Sequence, residues 1–366
     1  MESQEGAGLT ARIASDEILD AAYAWLVRQR ADYAANNDVW RLRQTWDRQK
    51  PLIQLELLSA VYRFQPVERY PCDEGAIELW SARDSLVLKA ISLVLTDHLA
   101  PLLSDNCYHL VGRDGKLVGR DGKRGGAKAA IRTVMAALPA NTFVLRSDVK
   151  SYYASMDHRV MMGLLRQHID DEGLLILLYD AMQRTVCQGG VYLSIQRGIS
   201  LGCALSPLLG ALYLSQLDAR MAQTGLTYAR FMDDWVVLAP TRWKLRKAIQ
   251  IVNRTLDELK VEQHPDKTYI GRISAGFDFL GYHLTPAGLA PARQTLQNFL
   301  QRIARLYEQG ADSVRIGQYV RNWLVWLRSG LTGVDTLRLL DSVWMCFGLD
   351  LLGTKSSHLF AFGGSR

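Results

Sequence analysis

Cysteine is scarce in this chain, and its spacing argues against two classes of small protein. Disulfide frameworks and structural zinc sites need paired, closely spaced cysteines. Only five occur among 366 residues, an odd number without any CxxC pair: Cys72, Cys107, Cys187, Cys203 and Cys346. This scatter favours reduced thiols and therefore a cytoplasmic protein.

The sequence also lacks the marks of a membrane or secreted protein. We find no apolar run that approaches the ~20 residues of a membrane span. Residues 1–12, MESQEGAGLTAR, lack the basic-then-apolar order of a signal peptide. We therefore expect no membrane partner.

The charge balance is mildly basic. The chain has 43 Lys+Arg against 37 Asp+Glu and a pI near 9.0. This excess favours a polyanionic partner. With 48% hydrophobic residues, a chain of this length can bury a large core divided into two or three subdomains.

The order of periodic segments predicts an α+β fold. The first part is predicted to be helical, starting at the N-cap Ser15 and continuing at 50–63 and 84–103. Strands are then predicted at 143–149, 191–196 and 277–284, with a hairpin at 228–239, and helices lie between them.

Two further helical signals follow in the second half of the chain. Ser206 is predicted to be the N-cap of a helix, with Pro207 as its first residue. The chain after Pro291 is predicted to be helical.

Two adjacent carboxylates interrupt the predicted hairpin TYARFMDDWVVLAP, residues 227–240. Asp233 and Asp234 lie between aromatic and β-branched runs, where a pair of like charges is costly. A divalent cation shared with a third acid would stabilise them, as in two-metal sites for phosphoryl transfer. Asp148, at the end of the apolar strand that starts at Phe143, supplies that acid. Asp157 lies where a helix should begin, and we expect it to cap that helix.

Several motifs in this order resemble those of reverse transcriptases. FMDD resembles the F/Y-x-DD catalytic motif, and DVKSYYASMDH, residues 148–158, resembles the acidic motif that precedes it. The segment RGISLGCALSPLLGALYLSQLD, residues 197–218, resembles the G-x-x-x-S-P motif and its helix. The lysine-bearing motif and the primer grip are matched by HPDKTYIGR and FDFLGYHL, and SARDSLVLKAI, residues 81–91, resembles the fingers motif. The chain is therefore similar to bacterial reverse transcriptases of the group II intron and retron-like superfamily.

The resemblance implies a right-hand polymerase fold. We expect an N-terminal helical region with the fingers at 1–140, a palm of antiparallel sheet and helices at 141–285, and a helical thumb at 286–366. Within the thumb, residues 291–330 carry six arginines against two acids. Trp323 and Trp326 are expected to be core side chains rather than base-stacking platforms.

The resemblance also implies a catalytic set. Asp148, Asp233 and Asp234 would bind two Mg²⁺ ions, with Mn²⁺ as an alternative ion and the Val149 carbonyl as a further ligand. Lys267 would protonate the departing pyrophosphate. Tyr153 matches the steric gate that excludes a ribose 2′-hydroxyl. Tyr152 is the alternative gate, because period-two alternation would place only one of the two rings in the pocket.

Further residues are implied to contact the nucleotide or the primer. Gly202, Ser206 and Pro207 would support the incoming nucleotide, next to Leu201, which replaces the family's usual Gln. The primer grip would be Phe279, Leu280 and Gly281. Five basic residues in the fingers are candidates for the triphosphate or the template, with Arg120 and Lys123 preferred among Arg113, Lys116, Arg120, Lys123 and Arg124.

The finer resemblance concerns biological role. RFMDDWVVLAPTRWKLRKAI and RGISLGCALSPLLGALYL most resemble the class 2 group of bacterial defence-associated reverse transcriptases. That group copies a neighbouring structured non-coding RNA into cDNA during phage infection, using dNTPs. Two alternatives stay open: a non-catalytic RNA-binding factor like an intron maturase, and a retron-type enzyme that primes from an RNA 2′-hydroxyl.

Overall fold

A computed structural model describes residues 8–72, 75–110, 126–329, 331 and 334. Helices dominate its first part. Ser15 accepts a hydrogen bond from the Ile18 amide at 3.4 Å and caps the second helix, as predicted. The elements up to residue 99 are α1 (Leu9–Ile13), α2 (Asp16–Gln29), α3 (Asp38–Gln44), α4 (Trp46–Leu58), β1 (Val67–Cys72), β2 (Gly75–Leu79) and α5 (Ala82–Leu99).

Helix α5 is the central helix of this part, and it corrects one expectation. Together with the 3-10 turn that follows it, residues 82–102 form the single helix in the described chain that is long and apolar enough to cross a membrane. The expectation that no such run exists is therefore wrong. However, 56% of that segment is buried inside the protein, and twelve of the eighteen residues of α5 are buried. The core helix of a globular protein has the same length and composition.

Short strands alternate with helices in the second part. Its elements are α6 (Gly126–Ala137), β3 (Phe143–Ser147), α7 (Tyr152–Ser155), α8 (His158–Leu165), α9 (Glu172–Met182), β4 (Thr185–Gln188), β5 (Val191–Ser194), α10 (Ser206–Tyr213), α11 (Ser215–Gln223), β6 (Thr227–Phe231), β7 (Asp234–Ala239), α12 (Arg242–Glu258), β8 (Tyr269–Arg272), β9 (Phe277–Phe279), β10 (Tyr282–Thr285), β11 (Gly288–Pro291), α13 (Arg293–Glu308) and α14 (Ser313–Arg328). The mixture of helices and mainly antiparallel sheets confirms the α+β class.

The described strands form three sheets, ordered β2-β1-β4-β5, β6-β7-β3-β8 and β11-β10-β9. The sheet β6-β7-β3-β8, called the central sheet below, is antiparallel throughout, with β3 between β7 and β8. Trp235 and Val237 of β7 pack into one hydrophobic cluster, while Val236 and Leu238 pack into another on the opposite face. Because both faces of this central sheet are covered, the strand is a nearly continuous apolar run.

Two local predictions are wrong in detail. Ser206 is the first residue of α10 rather than its N-cap, and its hydroxyl donates to the Ser200 carbonyl at 2.5 Å instead of capping the helix. The predicted strand 277–284 is a hairpin of β9 and β10. Leu280 (φ 48°) and Gly281 (φ 85°) form its two-residue turn, both in the left-handed region.

Helices α13 and α14 follow Pro291, as predicted, and pack on each other. Their shared core includes Phe299, which stacks on Trp323 with ring centroids 4.1 Å apart. Trp326 is 46% exposed, so the expectation of a core side chain is confirmed for Trp323 and wrong for Trp326. The boundaries of the three expected domains stay a prediction.

Candidate active site

Three carboxylates lie at one end of the central sheet. The left-handed Met232 (φ 57°) and Asp233 form the turn between β6 and β7, and Asp234 is the first residue of β7. Ser147 of β3 pairs with Trp235, and Asp148 comes directly after Ser147. The strand register therefore places Asp148 beside the turn, although it is distant from Asp233 along the chain.

The environment of Asp233 and Asp234 disfavours their ionised form. Burial is the largest cause of the raised pKa of Asp233, and repulsion from Asp148 adds to it. Burial also raises the pKa of Asp234 to about 6, with repulsion from Asp148 and Asp233 adding and Arg146 opposing. Asp148 is 5% exposed, and its Oδ1 is buried without a hydrogen-bond partner. A buried carboxylate oxygen without a partner is costly.

Two cations of the protein engage these carboxylates. Lys267 Nζ donates to Asp148 Oδ2 at 2.7 Å. Arg146 forms a two-point contact with Asp234, with Nε 3.3 Å from Oδ1 and Nη2 3.1 Å from Oδ2. Its Nη1 donates to the Lys267 carbonyl at 3.1 Å, so the two cations are linked.

The contact of Arg146 with Asp234 was not predicted from the sequence. A signal was present, because a charge two residues before Asp148 on an apolar strand lies on the same face as that acid. Across the residues that the structure describes, no three His, Cys, Asp or Glu side chains are arranged so that they could hold a metal ion. Two of the three acids instead contact Arg146 and Lys267.

A buried polar network binds the backbone of the turn at Met232. The Met232 amide donates to His109 Nδ1 at 3.1 Å, and the Met232 carbonyl accepts from Arg230 Nη1 at 2.7 Å. His109 Nε2 lies 3.1 Å from the Pro207 carbonyl, which requires a neutral ring that donates from Nε2 and accepts at Nδ1. Burial, reinforced by Arg230, lowers the pKa of His109 to about 4. Both backbone groups of the left-handed residue before the acids are thus fixed.

Arg230 is itself paired with Asp218, and neither side chain is more than 1% exposed. Arg230 Nε donates to Asp218 Oδ1 at 2.7 Å, and the Tyr228 hydroxyl donates to the same oxygen at 2.8 Å. The sequence showed Arg230 only as one charge within an apolar strand. That charge was the available signal for a buried partner.

The two adjacent tyrosines have different environments. Tyr152 is buried and donates to the Gly210 carbonyl at 2.5 Å, whereas Tyr153 is half-buried with its hydroxyl 4.0 Å from Met232 Sδ. Both belong to the short helix α7, so the expectation of strand-like alternation is wrong. A Cβ at Gly210 would lie 3.3 Å from both rings, which makes this glycine the contact point of the pair. Of the two tyrosines, Tyr153 contacts the turn that contains Met232 and Asp233.

The segment before α10 is fixed at several points. Ser200 accepts from Trp80 Nε1 at 2.8 Å and, through its carbonyl, from the Ser206 hydroxyl. Gly202 has φ 86°, in the left-handed region that favours glycine, and Leu201 beside it is 58% exposed. The Pro207 carbonyl is the partner of His109 described above. Gly202, Ser206 and Pro207 therefore lie in one loop and helix start, which His109 joins to the turn at Met232.

The hairpin of the expected primer grip is fixed to two helices. Phe279 is fully buried, and the Gly281 carbonyl accepts from the Ala292 amide at 3.0 Å and from Thr295 Oγ1 at 2.8 Å. Lys128 of α6 contacts the Tyr282 hydroxyl, and burial lowers its pKa to about 8. Arg120 and Lys123, like the other three basic candidates in the fingers, lie outside the described residues.

Comparison with known proteins agrees with this arrangement. The family model described as reverse transcriptase (RNA-dependent DNA polymerase) matches residues 80–284, more than half of the chain. Protein YkfC of Escherichia coli K12 is 25% identical over 278 residues, which cover 64% of this chain and 70% of YkfC. The group II intron-encoded protein LtrA of Lactococcus lactis subsp. cremoris is 22% identical over 268 residues, which cover 68% of this chain and 42% of LtrA.

Proposed function

Because the chain belongs to the reverse transcriptase (RNA-dependent DNA polymerase) family, we propose that Asp148, Asp233 and Asp234 are the catalytic acids of an RNA-directed DNA polymerase and bind two divalent ions. The proposal rests on one observation above all. Asp148 meets the adjacent pair Asp233 and Asp234, which is distant in sequence, at one end of the central sheet, and Asp148 Oδ1 is buried there without a partner.

The proposed ligands of Mg²⁺ are oxygen atoms, although the described side chains are not arranged as a three-residue metal group. Carboxylate and carbonyl oxygens are the ligands that this ion prefers. The Val149 carbonyl is the further proposed ligand. On either side of it, the Asp148 carbonyl accepts from the His264 amide and the Lys150 amide donates to the Glu262 carbonyl. Bound Mg²⁺, or Mn²⁺ in its place, would supply activation of the attacking hydroxyl and charge neutralisation on the leaving group.

Lys267 is the proposed proton donor to the departing pyrophosphate. Its side chain is 52% exposed, yet its ammonium lies 2.7 Å from Asp148. We propose that this protonated ammonium, partly exposed beside the carboxylate cluster, gives its proton to the leaving oxygen. Arg146 has a positioning role, because its two bonds orient the carboxylate of Asp234.

Tyr153 is the proposed steric gate. Its ring is half-buried beside Met232, and an aromatic ring packed under the sugar leaves no room for a 2′-hydroxyl. Gly202, Ser206 and Pro207 would support the nucleotide from the neighbouring loop. Exposed Leu201 offers an apolar surface where the family usually has an amide.

For the biological role, we propose a cytoplasmic enzyme that copies a structured non-coding RNA into cDNA during antiphage defence. The support is the resemblance of two sequence segments to the class 2 defence group, together with Leu201. Basic residues in 112–132 and 291–330, seven and six in number, suit an RNA partner. The alternative is an intron- or retron-type enzyme, which the similarity to LtrA favours, although this chain covers 42% of that protein.

The catalytic proposal is tested by primer extension on an RNA template. Asp233→Asn with Asp234→Asn should abolish Mg²⁺-dependent DNA synthesis, whereas Asp257→Asn, an exposed acid on α12, should leave it unchanged. Full extension by the double variant would contradict the assignment.

The biological proposal is tested by sequencing the RNA and DNA that co-purify with the protein. One enriched structured RNA with matching cDNA is expected. DNA that stays covalently attached to an RNA 2′-oxygen would instead support a retron-type enzyme.

A further inference from the structure

A basic groove with a cavity volume of about 600 Å³ lies between α11 and α12. The residues that line the groove include the apolar Leu226 and Ile251. They also include four cations, Arg220, Lys244, Lys247 and Arg254. Glu258 pairs with Arg220 at 2.6 Å and with Arg254 at 3.0 Å. Lys244 and Lys247 have no ion-pair partner among the described residues, so the groove keeps a positive surplus.

This positive surface is unfavourable for helix α12 itself. The first six residues of the helix, RWKLRK, contain four exposed cations, and the first turn has no acid. The N-terminus of a helix carries a partial positive charge, which cations there oppose. A polyanion bound along this end would offset both that repulsion and the repulsion between neighbouring side chains.

An exposed aromatic side chain lies in the same basic segment of α12, beside the residues that line the groove. Trp243 is 65% exposed, and Lys247 Nζ lies 5.8 Å from the centre of its ring. Interleaved cations and aromatic rings are the composition of surfaces that bind single-stranded nucleic acid, where bases stack on the rings and cations contact phosphates. A protein partner would need a cluster of acidic side chains to pair with the same cations. A single exposed ring would contribute less binding free energy to that partner than base stacking does.

The groove is separate from the catalytic acids. Asp234 begins β7, and Ala239 ends this strand five residues later, a distance of roughly 17 Å at ~3.3 Å per residue. Helix α12 begins at Arg242, beyond that far end. One polymer could therefore occupy the groove without entering the catalytic site.

We propose that the α11–α12 groove binds an unpaired segment of RNA, with a base stacked on Trp243 and phosphates on Lys244 and Lys247. The choice of RNA among polyanions rests on the proposed function, because the reaction already brings RNA to this protein. An unpaired segment is required, since bases within a helix cannot stack on a side chain. The groove would hold part of the same RNA outside the polymerase cleft.

The test measures RNA binding to the full chain with its cleft already filled. The cleft is saturated with an unlabelled primer–template hybrid, and a fluorescent unstructured RNA of about 12 nucleotides, within the usual site size for a single strand, is titrated by anisotropy across a salt series. Trp243→Ala should weaken binding about 5- to 140-fold, as expected for one stacked base. Lys244→Gln with Lys247→Gln should reduce the slope of log affinity against log salt by about 1.4, because each contact with a single strand contributes ~0.7.

A matched control removes two exposed cations elsewhere. Arg41→Gln with Arg48→Gln, on α3 and α4, makes the same charge change and should leave the slope unchanged. An equal effect in this control would overturn the proposal, as would failure of the wild-type protein to bind the probe. Equal affinity for DNA of the same sequence, or preference for an acidic peptide, would overturn the assignment to RNA.

Primer extension on the short hybrid is measured in parallel and should be the same in all these variants. If the wild-type protein does not extend the primer, the proposed polymerase function is refuted. If the wild-type protein extends the primer but does not bind the probe, the groove proposal alone is refuted.

Discussion

The buried ion pair between Arg230 and Asp218 allows a direct test of what stabilises the turn at Met232 and Asp233. Arg230 donates to Asp218, to the Met232 carbonyl at 2.7 Å and to the Ala211 carbonyl at 3.2 Å. Removing the carboxylate with Asp218→Leu would leave a guanidinium buried without its counter-charge. The expected cost is about 3–5 kcal/mol of unfolding free energy.

A double variant separates stability from positioning. Asp218→Leu with Arg230→Met removes both charges, and replacing a buried ion pair by apolar groups of similar volume is often neutral. We therefore expect most of the lost stability to return. Catalysis should not return, because the Met232 carbonyl loses its donor, and a buried unsatisfied carbonyl costs about 1–3 kcal/mol. If that cost falls on the active conformation of the turn, the rate drops about 5- to 140-fold.

The two effects are read by urea unfolding and by primer extension on one RNA template. Arg166→Met provides the control, because the Arg166–Glu172 pair is exposed at 59% and 66% and such pairs contribute about 0–1 kcal/mol. A cost below ~1 kcal/mol for Asp218→Leu would refute the argument from burial. A wild-type extension rate in the double variant would show that Arg230 stabilises the fold without positioning the turn.

Three further predictions concern single side chains. Tyr153→Ala should accept ribonucleotides far more readily in single-nucleotide incorporation, and an unchanged preference for dNTPs over rNTPs would move the gate elsewhere. Lys267→Gln should lower the single-turnover rate about 10²- to 10⁴-fold, as for loss of a general acid, while nucleotide KM changes little; a wild-type rate would remove Lys267 from proton transfer. Burial lowers the pKa of Lys128 to about 8, below its ordinary 10.5, so the unfolded chain binds more protons between these values. The stability of wild type relative to Lys128→Met should therefore rise with pH from about 8 to 10.5 in urea unfolding, and a flat difference would contradict this linkage.

The carboxylate cluster could be predicted from sequence because charges within apolar strands are conspicuous. Asp148, Asp233 and Asp234 each stand where packing alone gives no reason for an acid. The hairpin and the cap at Asp157, which accepts from the Arg159 and Val160 amides, depend on local sequence and are confirmed.

Features that depend on contacts distant in sequence could not be predicted in this way. Nothing in the local sequence shows that His109 reaches Met232 over 123 residues, or that Ser206 bonds to Ser200 rather than to its own helix. The prediction of strand-like alternation for Tyr152 and Tyr153 was wrong for a related reason. The strand that ends at Ser147 does not continue to Tyr153, since Ser151 takes a left-handed conformation (φ 49°) and starts helix α7.

The cations at the acid cluster explain how these carboxylates can lie together before any ion binds. Adjacent acids were expected to need a cation, and the fold itself supplies two, Arg146 on Asp234 and Lys267 on Asp148. These two cations face three carboxyl groups, so the protein supplies fewer positive charges than there are acids. Asp148 Oδ1 also has no partner, and both features favour binding of a divalent cation. Because the Lys267 ammonium is held by one of the proposed ligands, its position depends on the side chain of Asp148. This coupling links the proposed proton donor to the proposed metal site through one 2.7 Å contact.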